Sequence, residues 1–318
     1  MRHYGPVSLP RRTDYLLVPA AAVLFGVNQP LSRVLIDEQL PSTYLAESRM
    51  LAVAAIFLVW AVLQSGVALP RARPLVMLLV YGVVGIAVLQ WVLTSAIARL
   101  DVGLVLTIGY TASLLSAIWC LVVRHERQPR AVWLLMTIAL LGLALAVGLG
   151  GDALGDAPAA GFLFAGGVAV MFAYYALHGA RLLRDHPAPV VLGIAAPAAA
   201  IFWALTFAPI WNFPTAVLTE RVSLGGNLSG VVLPGALVLG WSMLFGTALP
   251  YVLYLVGIGR VGPTFGLLSG TIEPIVAVIA AWFWIDQRLS ALQVLGCVIV
   301  FGAVIAVQIS RSRQPVLD

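Results

Sequence analysis

Residues 262–290 read GPTFGLLSGTIEPIVAVIAAWFWIDQRLS. From Pro263 to Ile285 the stretch is apolar or small except for one acid, Glu273. As a helix rising ~1.5 Å per residue, it is long enough to cross a hydrocarbon layer ~30 Å thick. Gly262, Gly266, Gly270 and Pro274 recur every four residues. They share one helix face, where missing side chains let a second backbone approach. Pro274 removes a backbone donor and predicts a kink. Glu273 stands beside it, halfway along, where a carboxylate costs ~2.5–3.5 kcal/mol on insertion scales. One segment thus combines a close-packing face, a kink and an isolated acid.

The rest of the chain has the same character. Of 318 residues, 61% are hydrophobic and only 10% are charged, against roughly 25% charged in a soluble domain. This predicts an all-α polytopic membrane protein. Hydropathy places ten spans, at 14–36, 42–64, 74–98, 101–123, 130–149, 159–183, 188–209, 232–258, 263–285 and 291–309. The longest connection, 210–231, is rich in Asn, Gly, Pro and Ser and reads as a surface loop. Arg11 and Arg12 precede an apolar run as in a signal peptide, but Asn28, Gln29 and Pro30 interrupt it, which argues against one. All eighteen basic residues are arginine, a trait read as codon usage. With the N-terminus cytoplasmic, Arg33, Arg49, Arg99, Arg221 and Arg288 fall outside, and the other thirteen of the eighteen fall inside. That asymmetry predicts both termini in the cytoplasm.

The chain also repeats itself. Residues 22–40 align with 169–187, and 99–130 with 260–291, setting Gly109 on Gly270 and Ser113 on Pro274. The division is an N-terminal five-helix repeat over 1–150 and a C-terminal one over 151–318. Five is odd, so two such copies in one chain point opposite ways through the bilayer. Two inverted five-helix repeats around a midplane site are the architecture of many secondary transporters.

These features resemble the drug/metabolite transporter superfamily, EamA type. FGVNQPLSRVLIDEQLP in span one is similar to its opening signature, with Phe25 where that has tryptophan and Asn28 near its asparagine. SRM in span two supplies Arg49, IEP stands in span nine, and HER after span four supplies Glu126. Two positions depart from the pattern: Ser113 replaces a proline and Gln287 a glutamate. The resemblance implies an exporter of small metabolites in a bacterial inner membrane, working by alternating access. Members that export amino acids, aromatic ones included, are the nearest comparison, with export of quaternary-ammonium drugs or of nucleosides as the alternative.

Several residues are candidates for the work. Glu273 is read as a proton-coupling group or as the partner of a substrate ammonium. The plain alternative has it bonded to backbone freed near Pro274. Arg49 suits a substrate carboxylate through its planar fork, or else has a structural role, paired with Glu47 or Asp37 or snorkelling outward. Arg33 and Asp37, four apart, read as a local pair. Asn28 is a candidate substrate contact where Asn28, Gln29 and Pro30 break span one. Gln90, Trp91, Tyr110, Tyr174, Tyr175, Tyr251 and Tyr254 lie within the spans, unlike an interfacial aromatic belt, and His178, near the inner end of its span, shares a helix face with Tyr174. They are read as lining a cavity for an amphipathic or aromatic cargo, with ordinary helix packing as the alternative. Gly270 and Pro274 are read as structural. Trp211, Trp282 and Trp284 fit the interfacial belt.

No metal-ligand cluster, phosphate-binding loop, nucleophile elbow or nucleic-acid-binding basic patch occurs, so no cofactor is expected. An intramembrane enzyme is the competing class, but it needs a second titratable group near Glu273. The expected partners are a small-molecule substrate, the lipid bilayer and protons for coupling. Small residues in spans five and ten leave monomer and homodimer equally open.

Overall fold

The computed structural model describes residues 12–37, 40–63, 70–97, 99–100, 102–125, 129–146, 158–207, 209–285 and 290–312. In hydrocarbon every backbone polar group needs an internal partner, so apolar runs of this length can only be helices. A 3-10 turn at Arg12–Leu16 leads into α1 (Leu17–Asp37), and α2 is Ser42–Leu63. The third helix runs unbroken as α3 (Ala72–Val80), a π-helical turn (Tyr81–Val88) and α4 (Leu89–Ile97). The fourth is split into α5 (Val102–Tyr110) and α6 (Ala112–Val122). Then come α7 (Arg130–Ala146), α8 (Ala159–Asp185) and α9 (Ala188–Thr206).

Residues 210–231 were expected to form a surface loop, and instead they fold, together with the first three residues of the span expected at 232–258. A short α10 (Ala216–Thr219) precedes a two-stranded antiparallel hairpin, β1 (Arg221–Ser223) with β2 (Val232–Pro234). Its register pairs Arg221 with Pro234 and Ser223 with Val232. After it come α11 (Gly235–Met243), a second π turn (Leu244–Ala248) and α12 (Leu249–Val261). The chain continues through α13 (Pro263–Gly270), α14 (Ile272–Ile285) and α15 (Ala291–Ser312). The Trp284 indole donates to the Leu224 carbonyl (2.7 Å), and Asn227 Nδ2 to the Phe283 carbonyl (3.0 Å). Trp284 therefore anchors the hairpin to the end of α14, a role beyond the interfacial belt.

Seven of the described helical runs are long and apolar enough to cross a membrane. Three apolar helices are shorter: Ile108–Val122, Arg130–Leu145 and Ala291–Ala303. They correspond to the expected spans at 101–123, 130–149 and 291–309. The first is interrupted at Thr111, and the others border residues outside the described set. The connection between the two expected repeats, at 147–157, also lies outside it, as do Glu126, Gln287 and the side chains of Arg33 and Asp37.

Packing is inverted relative to a soluble protein. Large apolar side chains such as Leu63, Leu163 and Phe283 point outward, while buried positions on α8 and α9 are largely alanine and glycine. Helices packed in lipid gain little from apolar burial between them, so close backbone approach carries the contact. At Gly82 an added Cβ would press on the Ala195 carbonyl of α9. Gly262, at φ +90, is the left-handed turn between α12 and α13.

The contacts repeat in pattern. Helix α1 packs on α12 and α14, and α8 packs on α4 and α5. Helix α2 packs on α9, and α7 on α15. Each π turn falls in the third helix of its half. The two breaks also match: Thr111 has φ −61 and ψ −11, and Thr271 has φ −61 and ψ −10. Each threonine hydroxyl donates to the carbonyl three residues back, Thr111 to Ile108 (2.6 Å) and Thr271 to Leu268 (2.7 Å). At the breaks, the sequence alignment is therefore one residue out of register. Tyr110 corresponds to Gly270 and Ser113 to Glu273, because α5 has nine residues and α13 has eight.

Gly82→Val is expected to lower the melting temperature of the detergent-solubilised protein, since overpacking of this kind costs about 1–3 kcal/mol. Gly166→Ala, where an added Cβ meets nothing within 4 Å, leaves it unchanged.

Candidate functional site

The helices enclose a cavity of about 490 Å³. It runs to Ile36 at the end of α1, Ser42 at the start of α2 and Ile97 at the end of α4, so it opens toward that side.

Its acid is Glu273, the second residue of α14. Tyr110 Oη donates to Oε2 at 2.7 Å, and Gln29 Nε2 approaches Oε1 at 3.5 Å. Both helix breaks contribute, since Tyr110 ends α5 and Glu273 begins α14. In the first turn of a helix, free amides and the macrodipole favour an anion. Pro274 makes no kink of its own. It sits in the first turn of α14, where its missing N–H is one that a helix start leaves unbonded anyway; the interruption falls at Thr271. Gly270 is structural in a definite sense: a Cβ there would lie 2.9 Å from a Tyr110 ring carbon and 3.2 Å from the Tyr254 hydroxyl. Gly26 acts likewise on α1, where a Cβ would meet the Glu273 carbonyl at 2.7 Å. That close crossing brings Gln29 to the acid.

The cavity's base is Arg49 on α2. Its Nη2 donates to Ser32 Oγ (2.5 Å) and Ser242 Oγ (2.9 Å), and Nε to Ser242 Oγ (3.3 Å). Of the two partners suggested from sequence, Glu47 is not used, since neither of its oxygens has a partner among the described residues, and the side chain of Asp37 lies outside the described residues. Ser32 Oγ in turn donates to the Asn28 carbonyl at 2.6 Å. Ser242 lies just before the second π turn, where Thr247 Oγ1 reaches back five residues to its carbonyl at 3.0 Å. Asn28 lines the cavity and donates from Nδ2 to the Gly246 carbonyl at 3.3 Å, while its buried Oδ1 has no partner among the described residues. Gly246 is required there, because a Cβ would overlap the Asn28 amide.

Tyr251 lies within electrostatic reach of both Arg49 and Glu273, so the two charges belong to one chamber. Rings close its other end. Tyr81 and Tyr175 stack at 5.6 Å, and Tyr81 Oη donates to the Tyr175 carbonyl at 3.1 Å. Tyr251 and Tyr254 each lie 6.3 Å from Tyr175.

Of the residues singled out from sequence, Asn28, Arg49, Gln90, Tyr110, Tyr175, Tyr251, Tyr254 and Glu273 line this cavity. Trp91, Tyr174 and His178 do not. Trp91 is 40% exposed on the outer surface and stacks on Phe207 at 6.1 Å. Tyr174 and His178 stack on each other at 4.1 Å along α8. Ser32, Ser242 and Thr247 went unnoticed; Ser32, one turn beyond Asn28, was the recoverable one.

A multi-pass helical protein with a small-molecule-sized chamber between its helices, mostly apolar but carrying an acid and a base, is the arrangement of a membrane transporter. Comparison with known proteins makes the class specific: the profile of the EamA-like transporter family matches residues 13–148 and 159–308. The chain belongs to that family and carries its two repeats. It is 25% identical over 248 residues to the threonine/homoserine exporter RhtA of Salmonella typhimurium (strain SL1344), covering 75% of this chain and 72% of that one. To RhtA of Escherichia coli (strain K12) it is 26% identical over 239 residues, 72% of this chain and 68% of the other. A solved crystal structure superposes on 96% of this chain and all of its own with TM-score 0.73 at 17% identity; that likeness shows the fold.

With Cys120 and Cys297 replaced by serine, Gln90→Cys is expected to react with a membrane-impermeant thiol reagent in sealed vesicles. Ala199→Cys, at a fully buried position, is not. Equal labelling of both would contradict the placement of the cavity.

Proposed function

We propose that the protein is a secondary-active exporter of amino acids in a bacterial inner membrane, working by alternating access. One observation carries this reading: a carboxylate and a guanidinium line the same cavity with a tyrosine in reach of both. A zwitterion fits this pairing, with its carboxylate on the fork of Arg49 and its ammonium on Glu273. Tyr110 and Gln29 orient the Glu273 oxygens, so the site is set before cargo arrives. The names of the RhtA relatives support amino acids, and the rings of Phe25, Tyr251 and Phe172 line the space left for a side chain.

The architecture proposed with it is ten spans in two inverted repeats, 1–150 and 151–318, with both termini cytoplasmic. The paired helix contacts and the matching breaks support it. In that orientation the open end of the cavity faces outward, and the Tyr81–Tyr175 stack closes the cytoplasmic side. Rocking the halves about Glu273 would open one end and close the other.

In proteoliposomes, labelled threonine, homoserine and phenylalanine are the cargoes to test. Glu273→Gln and Arg49→Lys are each expected to weaken uptake about tenfold to a hundredfold, the range for a lost charge-assisted hydrogen bond of about 1.5–3 kcal/mol. Transport of the decarboxylated amines as readily as the amino acids would replace this reading with a cation exporter. A C-terminal reporter found in the periplasm would overturn the inverted repeat.

A further inference from the structure

The cavity does not use every acid in the membrane-spanning helices. Glu47 lies on α2, two residues before Arg49, and is 0% exposed. Neither of its carboxyl oxygens has a hydrogen-bond partner among the described residues. It does not line the cavity, whereas its neighbours Ala46 and Arg49 do. At ~100° per residue, Glu47 and Arg49 point to different sides of α2. The elements packed on α2 are α9, α1, α11 and the second π turn. Neither α9, α11 nor the π turn contains an ionisable residue. Helix α1 has only Arg33 and Asp37, toward its end, with side chains outside the described set. On α2 itself the other ionisable groups are Tyr44 and Arg49, and Arg49 is turned to the cavity, where it bonds Ser32 and Ser242.

A carboxylate sealed in such a place without donor or counter-charge is far costlier than a carboxylic acid. The facing surface also bears on the role. Helix α9 packs along α2 without an ionisable residue of its own, and among the described residues the side-chain hydrogen bond between them lies at one end, from Trp203 Nε1 to the Thr43 carbonyl at 3.3 Å. Helices α2 and α9 belong to opposite repeats, so the contact between them has to change when the halves rock.

We propose that Glu47 is a proton-binding site of the transport cycle, separate from Glu273 in the cavity: it is protonated while buried inside the bundle and releases the proton when the halves move apart. This rests on the alternating-access reading above and divides the labour between two acids. Glu273, with donors on both oxygens, receives the ammonium, and Glu47 carries the coupling proton.

Two measurements test it. The first needs no cargo: infrared difference spectra of the purified protein near neutral pH. The stretch of a protonated carboxyl is expected to vanish in Glu47→Gln and persist in Glu273→Gln; a band untouched by Glu47→Gln overturns the proposal. The second uses labelled threonine in proteoliposomes. Glu47→Gln is expected to keep threonine counterflow within twofold of wild type. It should lose the accumulation driven by an outward proton gradient, about tenfold per pH unit at one proton per substrate. Glu47→Asp should restore it. Gradient-driven accumulation intact in Glu47→Gln counts against the proposal. Wild-type protein that exchanges no amino acid refutes the cargo reading instead, and the infrared result then decides Glu47 alone.

Discussion

Placing ionisable groups in hydrocarbon is the constraint on which the structure depends. Such a group keeps its charge there only where the fold delivers partners to it. For Glu273 they come from two other helices: Tyr110 across the break between α5 and α6, and Gln29 from α1. Bringing three helices that close demands small residues at the crossings, and Gly26 and Gly270 supply them. Breaking a helix at Thr271 demands that the freed backbone be reused, and the threonine hydroxyl and the start of α14 do so. Arg49 follows the same logic with neutral partners: two serine hydroxyls hold its Nε and Nη2 while the charge still faces the cavity.

The membrane class, the placement of most helices and the central acid were all legible in the sequence, for one reason. In an apolar run a single Glu, Asn or Pro departs sharply from its surroundings, and the departure reports depth. What a lone sequence does not report is the direction in which a side chain leaves its helix. Trp91, Tyr174 and His178 have the depth expected of cavity residues but leave their helices elsewhere. Gln90, next to Trp91, does reach the cavity.

Serines were harder still. A serine in a membrane helix often does nothing but bond a carbonyl of its own turn, and Ser32 does that while also receiving Arg49. Ser242, 193 positions from Arg49 in sequence, gave no sign of its partner. Glu47 looked like a span-edge acid ready to pair with Arg49, because spacing along a chain does not show that the two leave α2 in different directions. Residues 210–231 looked like a loop because a hairpin with strands of three residues carries little periodic signal; it is held by contacts such as that of Trp284, sixty residues downstream of Leu224.

The two π turns set a limit on how this chain can evolve. Each widens a helix that elsewhere keeps the α spacing, so the count of residues through Tyr81–Val88 and Leu244–Ala248 is fixed. Deleting one amino acid there would tidy the local hydrogen bonding. It would also swing every later side chain of that helix about 100° around the axis, carrying Tyr251 and Tyr254 off the chamber wall. In these two segments drift can change the letters of the sequence but not their number.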